Sequence, residues 1–447
     1  MKKIITYGTF DLFHIGHENL LRRAKELGDW LIVGVTAERF DKERGKLNVH
    51  NSLMQRIDDV RRSGYADEII VEEYEGQKIE DIVKKEVDIF AIGSDWLGRF
   101  DYLKEYCNVV YLERTKGISS TQLRTKKQHI VELGIIGAGR IANRFIPESK
   151  FVSGVIVKGV FNPNEASARA FCEKHELLFY SSDFDDFTDK ISAVYIASPH
   201  LSHYDYVKKC LGKGLHVLCE KPMVLSKNQA IELYAMAKKN NLVLIEALKT
   251  AYSPGFTHLI SLVKSGVIGE IHDIDSAFTG LKSGNLRELD PKQAGGSMTE
   301  LASYVLLPIF KIFGTDYKNM QFFPLLKNGI DIFTRGILEY ECGVGTFKVG
   351  LGVKTEGELI ISGTKGYAYV PAPWWKTEYF ELRFEDANQN KKYFYKFDGD
   401  GLRYELNEFV RNIALNYNNS DNYLLKKHES IAIIDVIDRF LKQTNRV

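Results

Sequence analysis

"HIVELGIIGAGRIANRF", His129 to Phe145, opens as an apolar run, passes through three small residues and continues as a helical pattern. Ile130 to Ile136 reads as a buried strand, Gly137 to Gly139 as a tight turn, and Arg140 onward, with Ala142 at the third small-residue position, as a helix. Glycines there let an anion reach the free N–H groups of a helix N-terminus, which is how a dinucleotide pyrophosphate is held. The bare pattern GxGxx[AG] would arise by chance about 0.4 times at this glycine content, so the strand before it and the helix after it carry the reading. A polar stretch, Gln122 to Gln128, stands just upstream. The fold therefore restarts near residue 128.

Upstream of that restart, short apolar runs alternate with amphipathic ones. Ile4–Tyr7, Leu31–Val35, Glu68–Val71, Ile89–Ile92 and Val109–Leu112 read as buried strands, and Glu18–Leu27, Ser52–Arg62 and Ile79–Lys85 as helices. This is a parallel α/β domain, with ligands expected at the carboxyl ends of its strands. "GTFDLFHIGH", Gly8 to His17, sits at such an end. An HxGH match would arise by chance roughly 0.02 times, so His14 and His17 stand out even before context is added. Gly16 lets a ligand approach the backbone, and two imidazoles aimed at one phosphate stabilise the charge that builds there during displacement. Read blandly, they are core or capping histidines. At the other end of the domain, "RTKGISST", Arg114 to Thr121, offers a guanidinium fork, a permissive glycine and hydroxyls at a possible helix start. Together the two ends suit a nucleoside triphosphate.

Downstream, a third region begins near Tyr252 and is richer in alternating strands, at Ile271–Phe278, Gly336–Val353, Leu359–Val370 and Lys391–Phe397. The expected domains are 1–128, 129–250 and 251–447, in keeping with 447 residues being too many for one ordinary core. Sixty basic residues balance fifty-nine acidic ones, which gives no global electrostatic reason to expect nucleic acid or membrane binding. Five cysteines without ligand spacing read as reduced and mostly buried. The opening MKKIITYG has no long apolar run, and nowhere do eighteen apolar residues follow one another. A soluble, cytoplasmic protein is expected.

The first domain closely resembles the glycerol-3-phosphate cytidylyltransferase family, through GTFDLFHIGH, GSDW at Gly93–Trp96, and RTKGISST. The resemblance implies attack by a phosphomonoester on the α-phosphate of CTP, with Mg²⁺ and release of pyrophosphate. It implies that His14 and His17 stabilise the transition state and that Gly8, Thr9, Phe10 and Lys46 contact the nucleotide. Arg114, Thr115, Ser119 and Thr121 would hold the triphosphate, and Asp95 would lie near nucleotide or acceptor. Many members carry an arginine eight residues after the position of Arg56, where this chain has Gly64. Either Arg61 and Arg62 substitute for it or acceptor binding differs; read blandly, the pair forms a solvated helix face.

The remainder resembles the Gfo/Idh/MocA oxidoreductase family, through "YIASPHLSHYDYV" (195–207), "HVLCEKPMVLS" (216–226) and "LIISGTKGYAYV" (359–370). The resemblance implies a Rossmann domain for NAD or NADP, then an α/β domain whose open, largely antiparallel sheet joins a dimer or tetramer. Gly137, Gly139, Arg140, Ile141 and Asn162 would line the cofactor, with Ser198, Pro199, His203, Glu220 and Lys221 beside it. Asn162 ends the second strand where a carboxylate would select NAD and an arginine NADP, so that choice stays open. Lys221 of the Glu-Lys-Pro signature would orient the reacting carbonyl. In "AGGSMTELASYVLLP" (294–308), Glu300 and Tyr304 stand where members have Asp and then His or Tyr, four apart and on one helix face. Tyr304 is the expected proton donor, with His203 the next candidate.

The fold class expected is α/β throughout: an HxGH nucleotidyltransferase domain, a dinucleotide-binding Rossmann domain and an open-sheet α/β domain. The function expected is a bifunctional CDP-polyol synthase, which reduces a ketose phosphate with NAD(P)H and then transfers a cytidylyl group from CTP for surface polysaccharide synthesis. Two rival readings are a reductase acting on a CDP-linked sugar and a chain in which one half is silent and only binds nucleotide or a partner.

Overall fold

The computed structural model describes residues 2–13, 15–43, 49, 51–74, 76–113, 130–414 and 424–445, without the side chains of Ile15, Lys42, Glu43 and Asp95. The chain divides into two compact units, Met1–Ile130 and Val131–Val447. The first contains β1 (Lys3–Gly8), α1 (Ile15–Lys25), β2 (Trp30–Thr36), α2 (Glu38–Glu43), α3 (Leu53–Arg62), β3 (Glu68–Glu72), α4 (Gln77–Lys85), β4 (Ile89–Gly93) and β5 (Asn108–Leu112). Its strands are all parallel, in the order β3-β2-β1-β4-β5. Successive residues of β1 feed opposite faces, so Ile4 joins Phe10, Leu21 and Val33 in one core while Ile5 joins Ile32, Ile82 and Phe90 in the other. A sheet buried on both faces needs such continuous apolar runs. α1 starts three residues before the expected Glu18, because Gly16 and His17 interrupt the apolar period without interrupting the helix.

The second unit opens with β6 (Val131–Ile136), α5 (Arg140–Ser149), β7 (Val155–Phe161), α6 (Glu165–His175), β8 (Phe179–Ser181), α7 (Phe184–Thr188), β9 (Ala193–Ile196), α8 (His200–Gly212), β10 (His216–Glu220), α9 (Lys227–Lys239) and β11 (Leu244–Ala247). These strands are again parallel, in the order β11-β10-β9-β6-β7-β8. There follow α10 (Pro254–Lys264), β12 (Ile271–Thr279), α11 (Ser297–Phe313), β13 (Asn319–Lys327), β14 (Ile330–Glu339), β15 (Val344–Gly350), β16 (Leu359–Gly363), β17 (Gly366–Val370), β18 (Tyr379–Phe384), β19 (Lys391–Phe394), α12 (Leu402–Ala414) and α13 (Lys427–Gln443). Their eight-stranded sheet is antiparallel except for the β12–β15 pair.

Two runs expected as single strands are hairpins. Gly336–Val353 turns back between β14 and β15, where the backbone of His272 leaves no room for a side chain on Gly343. Leu359–Val370 turns at Thr364 and Lys365, whose N–H groups donate to Glu270 and Ile268. Apolar alternation continues through both turns, so the period alone cannot mark them. β13 carries Pro324, which an edge strand tolerates.

One face of this sheet is covered by α11 and α13, with Phe322 against Phe440 and Ser276 bonded to the carbonyl of Val305. The other face is open and carries Phe323, Leu325 and Tyr367. α13 also closes the Rossmann core, where Ile434 joins Val217 and Leu244, and α12 packs on α5, β10 and β11.

Two candidate active sites

In the first unit β1 is flanked by β2 and β4, and the chain runs outward in both directions from that pair. The carboxyl ends of β1 and β4 are the switch point of this sheet, where open α/β sheets hold their ligands. The Gly8–His17 loop leaves β1 there, and Gly93–Trp96 leaves β4 beside it as a 3₁₀ turn. A side chain on Gly8 would meet the Phe10 ring at 3.0 Å. Phe10 and Leu12 both have positive φ, 52° and 48°. Phe10 is buried in the core against His17, with centroids 5.4 Å apart, so only its backbone is left for a nucleotide. His17 stands in the first turn of α1, packed also on Phe13.

The loop is pinned from below. Thr9 Oγ1 donates to Asp41 at 2.7 Å, and Asp11 accepts from the N–H of Asn51. Arg56, fully buried on α3, donates to the carbonyls of Thr9, Thr36 and Asn51 and pairs with Asp41 at 3.4 Å. Burial draws its pKa down, against the pull of Asp41, Asp11 and Glu38. Arg61 and Arg62 lie on the exposed face of α3, Arg61 beside Asp58. His14, Lys46, Arg114, Thr115, Ser119, Thr121 and the Asp95 side chain lie outside the described residues. Among the described residues no cluster of His, Cys, Asp or Glu could hold a metal ion.

The second unit repeats the logic at β6 and β9. Gly137 has φ 102°, and a side chain there would lie 2.9 Å from the carbonyl oxygen of Ala197. Around Gly139, by contrast, a side chain would meet nothing, and no side chain caps α5. That open, uncapped N-terminus fits a dinucleotide pyrophosphate. Arg140, mostly exposed, reaches Glu288 at 2.5 Å, and Ile141 follows it in the first turn. Asn162 caps its own turn by accepting from the N–H of Asn164. At the end of β9, Ser198 bonds Ser202 and Pro199 precedes α8.

β10 ends on Glu220, and Lys221 follows it. Glu220 accepts from Tyr195 at 2.6 Å, and Lys221 Nζ donates to the carbonyl of Glu300 at 2.9 Å while standing 5.4 Å from the Tyr304 ring centroid. Lys221 and Tyr304 are thus together. Burial pushes the Tyr304 phenol far up, assisted by Glu220 and Glu405, so it holds its proton throughout the physiological range. The Glu300 carboxylate turns aside, 2.9 Å from Arg287 and 3.7 Å from His200. His203, the second candidate acid, is fully buried between the carbonyls of Pro222 (3.0 Å) and Ser198 (2.8 Å). It braces the lysine loop against the Ser198 loop, which leaves no ring nitrogen for a substrate. Burial lowers its pKa. Arg287 and the buried clamp made by Arg56 were not legible in the sequence, and His200, inside the stretch 195–207, was not singled out there.

Residues 5–126 match the cytidylyltransferase-like family model, and residues 131–248 match that of the Gfo/Idh/MocA oxidoreductase family with an NAD-binding Rossmann fold. Glycerol-3-phosphate cytidylyltransferase of Bacillus spizizenii is 52% identical over 124 residues, 28% of this chain and 95% of that protein. Trans-1,2-dihydrobenzene-1,2-diol dehydrogenase of Sus scrofa is 28% identical over 253 residues, 54% of this chain and 74% of that protein. Among solved structures, a 3-ketoreductase from Actinomadura kijaniata in complex with NADP superposes with a TM-score of 0.61 at 18% identity, covering 69% of this chain and 96% of that one.

Proposed function

Because the chain belongs to the cytidylyltransferase-like family through residues 5–126 and carries the NAD-binding domain of the Gfo/Idh/MocA oxidoreductases at 131–248, which makes it a bifunctional enzyme, we propose that it is a CDP-polyol synthase. A ketose phosphate is reduced to a polyol phosphate, which then attacks the α-phosphate of CTP to give a CDP-polyol and pyrophosphate. The observation that carries this reading is the fusion itself, with a first unit 52% identical to an enzyme named for a phosphorylated polyol.

A bound NADPH or NADH supplies the hydride. Gly137, Gly139 and the first turn of α5 hold its pyrophosphate. Lys221 orients the ketone and Tyr304 gives its oxygen a proton. In the first unit His14 and His17 stabilise charge on the α-phosphate, while Mg²⁺ arrives with CTP. The product feeds a surface polymer, the enzyme is cytoplasmic, and the open face of the second-unit sheet joins copies into a dimer or tetramer. Among the described residues no helix is long and apolar enough to cross a membrane.

The test is to incubate the protein with CTP, NADPH or NADH, and dihydroxyacetone phosphate, ribulose 5-phosphate or fructose 6-phosphate, following cofactor absorbance and pyrophosphate together. One ketose phosphate should produce both signals. Cofactor oxidation with CDP-ketose but with no ketose phosphate would overturn the reading.

A further inference from the structure

The connector from β12 to α11, Gly280–Gly296, leaves its own sheet and reaches the Rossmann domain. At its middle a short 3₁₀ turn, Arg287–Leu289, presents two neighbouring side chains to two different helix starts. Glu288 takes Arg140, the first residue of α5, at 2.5 Å. Arg287 pairs with Glu300 at 2.9 Å and reaches Nδ1 of His200, the first residue of α8, at 3.4 Å. α5 follows β6 and α8 follows β9, and those two strands pair side by side at the switch point of the Rossmann sheet. Consecutive residues that touch both helix starts therefore cross in front of the strand ends where a dinucleotide lies. The turn is built to keep that place. A side chain on Gly295 would come within 2.8 Å of the carbonyl oxygens of Arg287, Glu288 and Asp290, and the N–H of Gly296 donates to the Glu288 carbonyl at 2.9 Å. The Glu288 side chain is buried, whereas that of Arg140 is 69% exposed. An ion pair with one partner in solvent is modest in strength, which suits a contact that opens and recloses more than one that holds the fold.

Building on the reductase reading, we infer that this connector is a strap across the nicotinamide cofactor and that Glu288, acting through Arg140, is the clasp that times the cofactor's entry and exit. The fixed end of the strap is the Arg287–Glu300 pair, and the carbonyl of that same Glu300 accepts from Lys221, so the strap is anchored to the residue that holds the reacting lysine. The free end is the Arg140–Glu288 pair at the uncapped start of α5. Fastened, the strap keeps water from the cofactor during hydride transfer; unfastened, it lets the spent cofactor leave. Glu288 touches neither cofactor nor substrate and is a positioning residue. A clasp slows entry and exit alike, because both need it open, and so leaves affinity nearly unchanged. A residue that only supported the pyrophosphate site would alter exit, and with it affinity, without altering entry.

The test needs no ketone. Stopped-flow fluorescence of NADPH and of NADH with the full chain gives the entry rate, and displacement by excess oxidised cofactor gives the exit rate. Glu288→Gln keeps the shape and removes the charge, so both rates should rise about five-fold, while Kd moves by less than about two-fold. Glu288→Asp, which keeps the charge, should give intermediate rates. In an Arg140→Met background Glu288→Gln should add nothing further, because the clasp is already gone. Arg287→Gln loosens the other anchor and should also raise both rates, which keeps the test open should Glu288→Gln fail to fold. Faster exit with unchanged entry would make Glu288 a support of the pyrophosphate site, and slower exit would mean that it competes with the pyrophosphate for Arg140. Parental rates in both Glu288→Gln and Arg287→Gln would make the connector a fixed joint. Each of these three results overturns the inference. A parental chain that binds neither NADPH nor NADH would instead remove the reductase reading beneath it.

Discussion

His17 can be separated from the reductase by a single substitution. On the proposed reading His17→Ala removes a charge-stabilising ring from the cytidylyl transfer, and loss of such a donor costs about two to three orders of magnitude in rate. Pyrophosphate release should fall by that factor while cofactor oxidation continues. Transfer at the parental rate would make the histidine a packing residue for Phe10 and Phe13. In the other unit, Tyr304→Phe and Lys221→Ala should each lower ketone reduction by roughly two orders of magnitude and leave transfer to added polyol phosphate untouched. His203 is held between two carbonyls and is not placed to take over from the phenol. Steady-state kinetics with each substitution checks both statements.

At the scale of elements, two buried groups hold distant segments together and should report on stability. Arg56 joins the ends of β1 and β2 to the chain before α3, so Arg56→Met leaves three carbonyls and Asp41 without it. Breaking a buried pair from one side costs about 3–5 kcal/mol. The urea concentration at which cytidylyl transfer is lost should fall accordingly, and an unmoved midpoint would show that the clamp is dispensable. Glu246, within β11, accepts from the Ser430 hydroxyl of α13 and the N–H of Met223. Burial raises its pKa from 4.5 to about 7. The folded form therefore holds its proton longer than the unfolded chain, which adds stability below the unfolded value and loses it as pH climbs toward the folded one. About 3 kcal/mol disappears across that window. Glu246→Gln should flatten the decline of the unfolding midpoint between pH 5 and pH 8. A slope equal to the parental one would place the titrating group elsewhere.

The same scale explains what could be read in advance. Parallel strands buried on both faces announce themselves as apolar runs, and β1, β2, β4 and β6 lie where those runs are. Gly137 was legible because its backbone conformation and the nearness of Ala197 admit no side chain. The hairpins at Gly343 and Thr364 were not, since the alternation passes through their turns unbroken. The clamp made by Arg56 and the pairing of Arg287 were illegible for another reason: their partners are carbonyls and carboxylates brought up by the fold, and a solvated charge looks the same in sequence as a buried one.

At the scale of the whole molecule the open question is the order in which the two reactions run. Attack on CTP requires a phosphate oxygen, and the ketose phosphate already has one, so chemistry at phosphorus does not itself demand prior reduction. Order must come from the acceptor site of the first unit, whose relatives include an enzyme named for glycerol 3-phosphate. A planar ketone lacks the hydroxyl donor that such an acceptor presents. A site that hydrogen-bonds a hydroxyl rejects the analogue lacking it by about four orders of magnitude, because its own polar groups are left unpaired. Ketose phosphate and CTP without NAD(P)H should therefore yield little pyrophosphate, and adding the cofactor should start release after a lag set by the accumulation of polyol phosphate. Preformed polyol phosphate should abolish the lag. Rapid pyrophosphate release from the ketose phosphate alone, followed by reduction of the CDP-ketose, would reverse the order, because the acceptor site would then be shown to recognise the phosphate and not the reduced carbon.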